Sequence, residues 1–161
     1  MRWTGAILSL AIGLLASVGV ALGSTPTGPS DCHAKGVHSV LLSFASAFNR
    51  GDSEELDGIF AQKPDFQWYT TDGRIGKAAK QRDTLIPYFS RRHLKGERLG
   101  VASFRFTGNS RHWGNFEMTM RRSVPSRRGG DWVRVPGKGA AVCAAGSSRL
   151  IVMSFGNAPG R

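Results

Sequence analysis

One stretch constrains this chain more than any other: the run from His38 to Phe60, where two helical patterns meet at a forced corner. Val37, Val40, Leu41, Phe44 and Phe48 follow the i, i+3, i+4, i+7 spacing of a single buried helical stripe. Asn49-Arg50-Gly51 ends that helix, because glycine accepts the left-handed conformation of a C-terminal cap. Asp52 is placed to cap a second helix, with Glu55 three residues on as the reciprocal partner of a capping box. Leu56, Ile59 and Phe60 give the second helix its apolar face. The corner speaks to fold and says little about chemistry.

The rest of the chain reads in order. Asp65 to Thr71 alternates Phe66, Trp68 and Thr70 against Gln67 and Tyr69, the period of a strand, and Asp72-Gly73 closes it as a turn. A polar connection from Arg74 to Arg82 leads to a third helix capped by Asp83 or Thr84, with Leu85, Tyr88, Phe89 and Arg92 near one face. Pro87 falls in its first turn, where a missing N–H costs little. Gly96 ends it. Val101 to Thr107 and Asn115 to Arg122 then form a hairpin around Arg111. Its register opposes Phe104 to Met118, Phe106 to Phe116 and Arg105 to Glu117, so one face is apolar and the other carries an opposite-charge pair. Ser123 to Asp131 is a basic loop, and Trp132 to Pro136 a short extension. Lys138 to Ala145 and Arg149 to Phe155 make a final hairpin, with Ile151, Met153 and Phe155 on one face and Leu150 and Val152 on the other.

A length of 161 residues suits one domain with its own core. Gly5 to Ala21 is almost wholly apolar behind Arg2, and Ala21-Leu22-Gly23 has the small residues of a signal-peptidase site. The expected division is therefore a signal peptide over 1–23, a linker over 24–36, a domain over 37–156 and a tail over 157–161. An uncleaved anchor is the alternative, since the apolar run approaches the ~18–20 residues that span a bilayer. Export places the chain in the cell envelope or outside the cell. In that setting Cys32 and Cys143 point to a disulfide, the alternative being a free thiol and a small buried apolar residue.

The formal charge is +11 and unevenly spread: residues 31–73 carry three basic and seven acidic groups, residues 74–149 seventeen and four. A basic remainder of this kind attracts anionic surfaces such as envelope polymers, or simply solvates the domain. No nucleic-acid motif accompanies it, so no nucleic-acid partner is expected. The four histidines are scattered and no Cys/His pair has ligand spacing, so no metal site or cofactor is expected.

Phe44-Ala-Ser-Ala-Phe-Asn-Arg-Gly-Asp52, Phe66-Gln-Trp68, Tyr88-Phe-Ser-Arg-Arg-His93 with Glu97, Gly137-Lys-Gly-Ala-Ala-Val-Cys143 and Ile151-Val-Met-Ser-Phe155 occur in an order that resembles the nuclear transport factor 2-like superfamily. The resemblance covers about residues 37–156. It implies an α+β cone, with three N-terminal helices packed in the concavity of a curved, mostly antiparallel sheet. It also implies an apolar pocket, here with Phe60, Trp68, Tyr69, Tyr88 and Phe89 as lining candidates. Homodimers across the outer sheet face are common in such folds, although Arg105 and Glu117 leave that face not clearly apolar. Members include isomerases, dehydratases and polyketide cyclases, beside proteins that only bind a ligand or partner.

Catalysis of the isomerase kind needs a carboxylate base and an oxyanion donor, for which Asp65 and the tyrosines are candidates. Catalysis of the dehydratase kind points to His93, with Glu97 four residues on. Arg91, Arg92 and Arg98 compete for Glu97, so an ion pair at the helix exit is the simpler role for it. Trp113 and Trp132, each near arginines, are candidate contacts for an anionic or glycan partner. The expectation is an exported domain that binds a small apolar or amphipathic ligand, or a partner, without catalysis. The alternatives are an enzyme of the kinds above and an envelope domain using its basic surface on anionic polymers.

Overall fold

The corner forms as its spacing requires. In the computed structural model, which describes residues 32–63, 66–70, 77–79, 82–110, 112–123, 125, 131–144 and 147–155, helix α1 spans Ala34–Arg50 and α2 Ser53–Ile59. The stripe Val37, Val40, Leu41, Phe44 and Phe48 is buried. Gly51 takes φ 69°, and the Asp52 side chain accepts from the Glu55 N–H at 2.9 Å. The reciprocal arm of the capping box does not form. The Asp52 N–H bonds Ala47 O at 3.0 Å, and the Glu55 carboxylate pairs with Arg50 instead. A loose linker up to residue 36 is also not what the structure has, because α1 begins at Ala34 and Cys32 is buried in the core. The remaining linker, the N-terminal 31 residues and the C-terminal tail lie outside the described residues.

Strand β1 (Gln67–Thr70), β2 (Lys77–Ala79) and helix α3 (Arg82–Leu94) follow, then β3 (Arg98–Ser110), β4 (Trp113–Ser123), β5 (Trp132–Ala144) and β6 (Ser147–Phe155). One six-stranded sheet results, ordered β2-β1-β6-β5-β4-β3, antiparallel except where β1 runs parallel to β6. The short β2 occupies what reads in sequence as a polar connection; three residues with little apolar signal form a strand because β1 offers an open edge to pair. All three helices pack on one face of this sheet, which makes an α+β cone. Asn49, at the end of α1, ties the helix to the start of β3: its amide donates to Leu99 O at 2.7 Å and accepts from Leu99 N–H at 2.8 Å.

The β3–β4 register matches the sequence reading through Phe104↔Met118, Arg105↔Glu117 and Phe106↔Phe116. Bulges on either side, between Val101 and Ser103 and between Phe106 and Gly108, shift it by one beyond that window. Strand β5 is continuous through Pro136, which had looked like a break. Among the described residues the last β6 partner of β5 is Phe155, opposite Gly137, and Pro136 is paired there with Thr119 of β4 alone, a position that tolerates a residue without an N–H. In β6, Ala140↔Val152 is followed by Ala141↔Leu150, leaving Ile151 bulged out of register. The bulge breaks simple alternation: Leu150 and Met153 enter the main core, whereas Ile151 and Val152 join a separate cluster with Ala61 and Ala140.

The main core is built around Phe44, whose ring lies 5.6 Å from Phe89, 6.0 Å from Phe60 and 6.4 Å from Trp68. Each fully buried ring of this kind contributes about 1.5–3 kcal/mol of transfer free energy. Cys32 and Cys143 are disulfide-bonded with Cα atoms 5.3 Å apart, joining the chain two residues ahead of α1 to β5.

Candidate functional site

The polar and aromatic candidates fall into three places. In the interior, Phe60, Trp68 and Phe89 are buried and Phe89 neighbours both of the others, with Phe60–Phe89 at 5.8 Å and Trp68 edge-on to Phe89 at 5.1 Å. Phe60 also stacks on Phe66 at 4.0 Å. Tyr88 is half-buried, and its hydroxyl accepts from Arg92 Nη1 at 3.3 Å. Tyr69 belongs to β1, opposite Ala78 and Ser154. Asp65, the candidate base, lies outside the described residues.

The exit of α3 holds the second group. Gly96 at φ 78° turns the chain out of the helix, and the Glu97 N–H bonds Arg92 O at 3.2 Å. This turn carries the Glu97 side chain inward, where the residue is 3% exposed. Arg92 grips its carboxylate through both Nε (2.7 Å) and Nη2. Arg122 adds Nε to Oε1 at 2.7 Å and Nη2 to Oε2 at 3.4 Å. The Arg92 guanidinium also lies 5.2 Å from the Tyr88 ring centroid and 5.9 Å from that of Phe48. Two guanidinium groups around one buried carboxylate satisfy its lone pairs and leave neither oxygen open to a substrate.

His93 is not part of that ion cluster. Its ring sits edge-on to Phe48 at 6.5 Å and against the α1–α2 corner, where a Cβ on Gly51 would come within 2.7 Å of Cδ2. Its Nδ1 is buried with no hydrogen-bond partner among the described residues. The i, i+4 spacing therefore does not bring His93 and Glu97 together, whereas Arg92 does reach Glu97 as a helix-exit pair. Sequence reasoning missed Arg122. The signal was its parity: Arg122 shares a face of β4 with Phe116, Met118 and Met120, and a cation on a core face calls for a carboxylate.

The third place is the sheet face that carries no helix. Strand alternation puts Arg105, Glu117, Lys138 and Ser154 in one row across β3, β4, β5 and β6. Arg105 pairs with Glu117 there, as the cross-strand reading required. Two clefts share Glu117, Lys138 and Ser154: one of about 660 Å³ that extends over Ser103, Thr119 and Pro136, the other of about 460 Å³ over Thr107, Asn115 and Val152. Further along, Arg121 stands directly opposite Arg134, and its guanidinium lies 5.4 Å from the Trp132 ring. Among the described residues, no group of three or more His, Cys, Asp and Glu is gathered as a metal site would need, and no helix is long and apolar enough to cross a membrane.

Two helices first and a third after β2, all on one face of a sheet ordered β2-β1-β6-β5-β4-β3: this is the nuclear transport factor 2-like cone fold. No protein-family profile and no curated protein sequence matches the chain. Solved structures do resemble it. A function-unknown protein from Mycobacterium tuberculosis superposes with a TM-score of 0.66 at 12% identity, over 77% of this chain and 70% of that one. A Streptomyces avermitilis protein provisionally described as a dehydratase of the nuclear transport factor 2-like family gives 0.65 at 10% identity, over 79% and 96%. A nuclear transport factor 2-like protein with a cystatin-like fold from Novosphingobium aromaticivorans gives 0.64 at 10%, over 79% and 82%. At such identities the likeness establishes the fold alone.

Proposed function

We propose that this chain is an exported domain that acts by binding rather than by catalysis, and that its contact surface is the helix-free face of the sheet. The observation that carries the reading is the pair of clefts on that face, about 660 and 460 Å³, both lined by Glu117, Lys138 and Ser154. A small apolar ligand inside the cone would compete with rings that already neighbour one another in turn, Phe66, Phe60, Phe89 and Trp68. The argument against chemistry is geometric, since general acid–base work needs two groups within hydrogen-bond reach of a substrate. Glu97 is committed to two arginines, and His93 is wedged against Gly51 and Phe48. Export is supported by the apolar segment before residue 24 and by the disulfide, a bond that persists in oxidising compartments.

Ser103→Trp with Thr119→Trp fills the larger cleft without touching the helices. Co-sedimentation of the purified variant with the host's envelope fraction is expected to fall at least tenfold relative to the wild type, whereas Arg91→Trp on α3 leaves it unchanged. Wild-type sedimentation of the cleft-filled variant, or turnover of a dehydratase or isomerase substrate that is lost in His93→Ala, overturns the reading.

A further inference from the structure

Five arginines of the described residues are held in ion pairs. Arg50 pairs with Glu55, Arg82 with Asp57, Arg92 and Arg122 with Glu97, and Arg105 with Glu117. The helix-free face carries cations outside such pairs. Arg121 on β4 and Arg134 on β5 are exposed and directly opposite, and neither has a carboxylate partner among the described residues. Like charges in that cross-strand position repel, which costs the sheet stability unless an outside anion sits between them. Gly100 is the β3 partner of Arg121; with no side chain of its own, it leaves the Arg121 guanidinium lying over the strand. Lys138, four residues from Arg134 and therefore about 13 Å along the same strand, stands opposite Glu117 and is a third exposed cation with no bonded carboxylate among the described residues. Among the described residues of β3, β4, β5 and β6, Glu117 is the one carboxylate on this face, and Arg105 holds it.

Aromatic groups mark both ends of the same strip. Trp132, 52% exposed, is the partner of Ser123 at the far end of β4 and lies against Arg121. Trp113, 42% exposed, begins β4 with the parity of Glu117 and Arg121, so it stands on the same face. From Trp113 to Ser123, β4 spans about 33 Å. The face thus carries a long strip with an indole at each end, cations between, and two clefts in its floor. An indole offers a broad apolar face to the C–H side of a sugar ring, and guanidinium groups bind carboxylate or phosphate in a two-pronged fork.

Resting on the reading of this face as the contact surface, we propose that it binds an anionic polysaccharide, with Arg121, Arg134 and Lys138 holding acidic groups and Trp113 and Trp132 stacking on sugar rings. A linear polymer suits the strip because its anions and its rings recur along one axis, as the cations and indoles do here. The basic loop between Ser123 and Trp132 contains Arg127 and Arg128, which adds positive charge in sequence next to the Trp132 end.

The probe is alginate, a polyuronate, titrated into the purified protein, with neutral dextran, a single-stranded oligonucleotide and phosphatidylglycerol vesicles in parallel. Alginate is expected to bind at 50 mM NaCl and to lose at least tenfold in affinity by 500 mM, as screening of exposed charges requires; dextran is expected not to bind. Arg121→Ala with Arg134→Ala should cost at least tenfold, and Trp132→Ala or Trp113→Ala several-fold at fixed salt. Lys35→Ala with Arg91→Ala removes the same charge from the exposed helices and should leave the affinity within twofold. An equal loss in that helix variant reduces the effect to net charge and overturns the proposal. Tighter binding of the oligonucleotide or the vesicles overturns the choice of polysaccharide. The two proposals fail separately. If filling the cleft leaves envelope binding intact, the contact-surface reading falls; if it abolishes envelope binding while Arg121→Ala with Arg134→Ala keeps wild-type alginate affinity, only the polysaccharide assignment falls.

Discussion

At the scale of single residues, the tightest commitment in the molecule is Glu97. Its side chain is 4% exposed and is shared by Arg92, 11% exposed, and Arg122, 30% exposed. A buried ion cluster of this kind adds little over a well-packed apolar one, but breaking it strands charge in the interior. Glu97→Ala is expected to lower stability by about 3–5 kcal/mol in urea denaturation, because two guanidinium groups lose their anion in the core. Replacing Arg92 and Arg122 with Leu in that background should recover part of the loss; a loss below about 1 kcal/mol would show that water reaches the arginines and satisfies them. How much of this was legible in the sequence depends on the residue. Glu97 and Arg92 are five apart across a helix exit, and local rules find them. Arg122 lies a strand away, and only the burial parity of β4 reveals it. Asn49 reads as a helix-stopping residue, yet its amide binds both backbone groups of Leu99, a contact with no local signature.

At the scale of elements, the β3–β4 hairpin could be registered from sequence because both faces agreed on one pairing. The bulges could not, since each inserts a residue that leaves the composition of the strand unchanged while shifting its parity. Ile151 is the case in point: its neighbours alternate, and the structure does not. Strand β5 shows how packing fixes a small residue. Gly139 faces Phe116 across the ladder, and a Cβ there would lie 2.5 Å from Phe116 Cζ and 2.6 Å from the Val152 carbonyl oxygen. The backbone oxygen cannot move aside without disturbing the β5–β6 ladder. Gly139→Ala is therefore expected to destabilise by about 1–3 kcal/mol in thermal or urea unfolding, the usual cost of overpacking. A neutral result would mean that the strands separate more readily than their pairing implies. The helix-free face was legible only as dispersed charge. The sequence shows seventeen basic groups over residues 74–149, and strand order alone decides which of them share a surface.

At the scale of the whole molecule, the disulfide unites the two ends of the domain. Cys32 precedes α1 and Cys143 lies in β5, 111 residues later, so the bond closes most of the chain into a loop. Reduction, or Cys32→Ser with Cys143→Ser, is expected to lower stability by about 2–4 kcal/mol, read as a shift in the urea midpoint. An unchanged midpoint would show that the helices and sheet already restrain the unfolded chain as strongly. The same bond sets how the domain responds to mechanical load. Tension arriving from the N-terminal side of Cys32 crosses the sulfur bridge straight into β5, bypassing α1, α2, α3 and the first four strands. Those elements then bear no pull while the bridge is oxidised. For a domain held at that end, a shear applied through the cationic strip enters at β4 and β5 and leaves by the sulfur bridge, so the three helices stay out of its path.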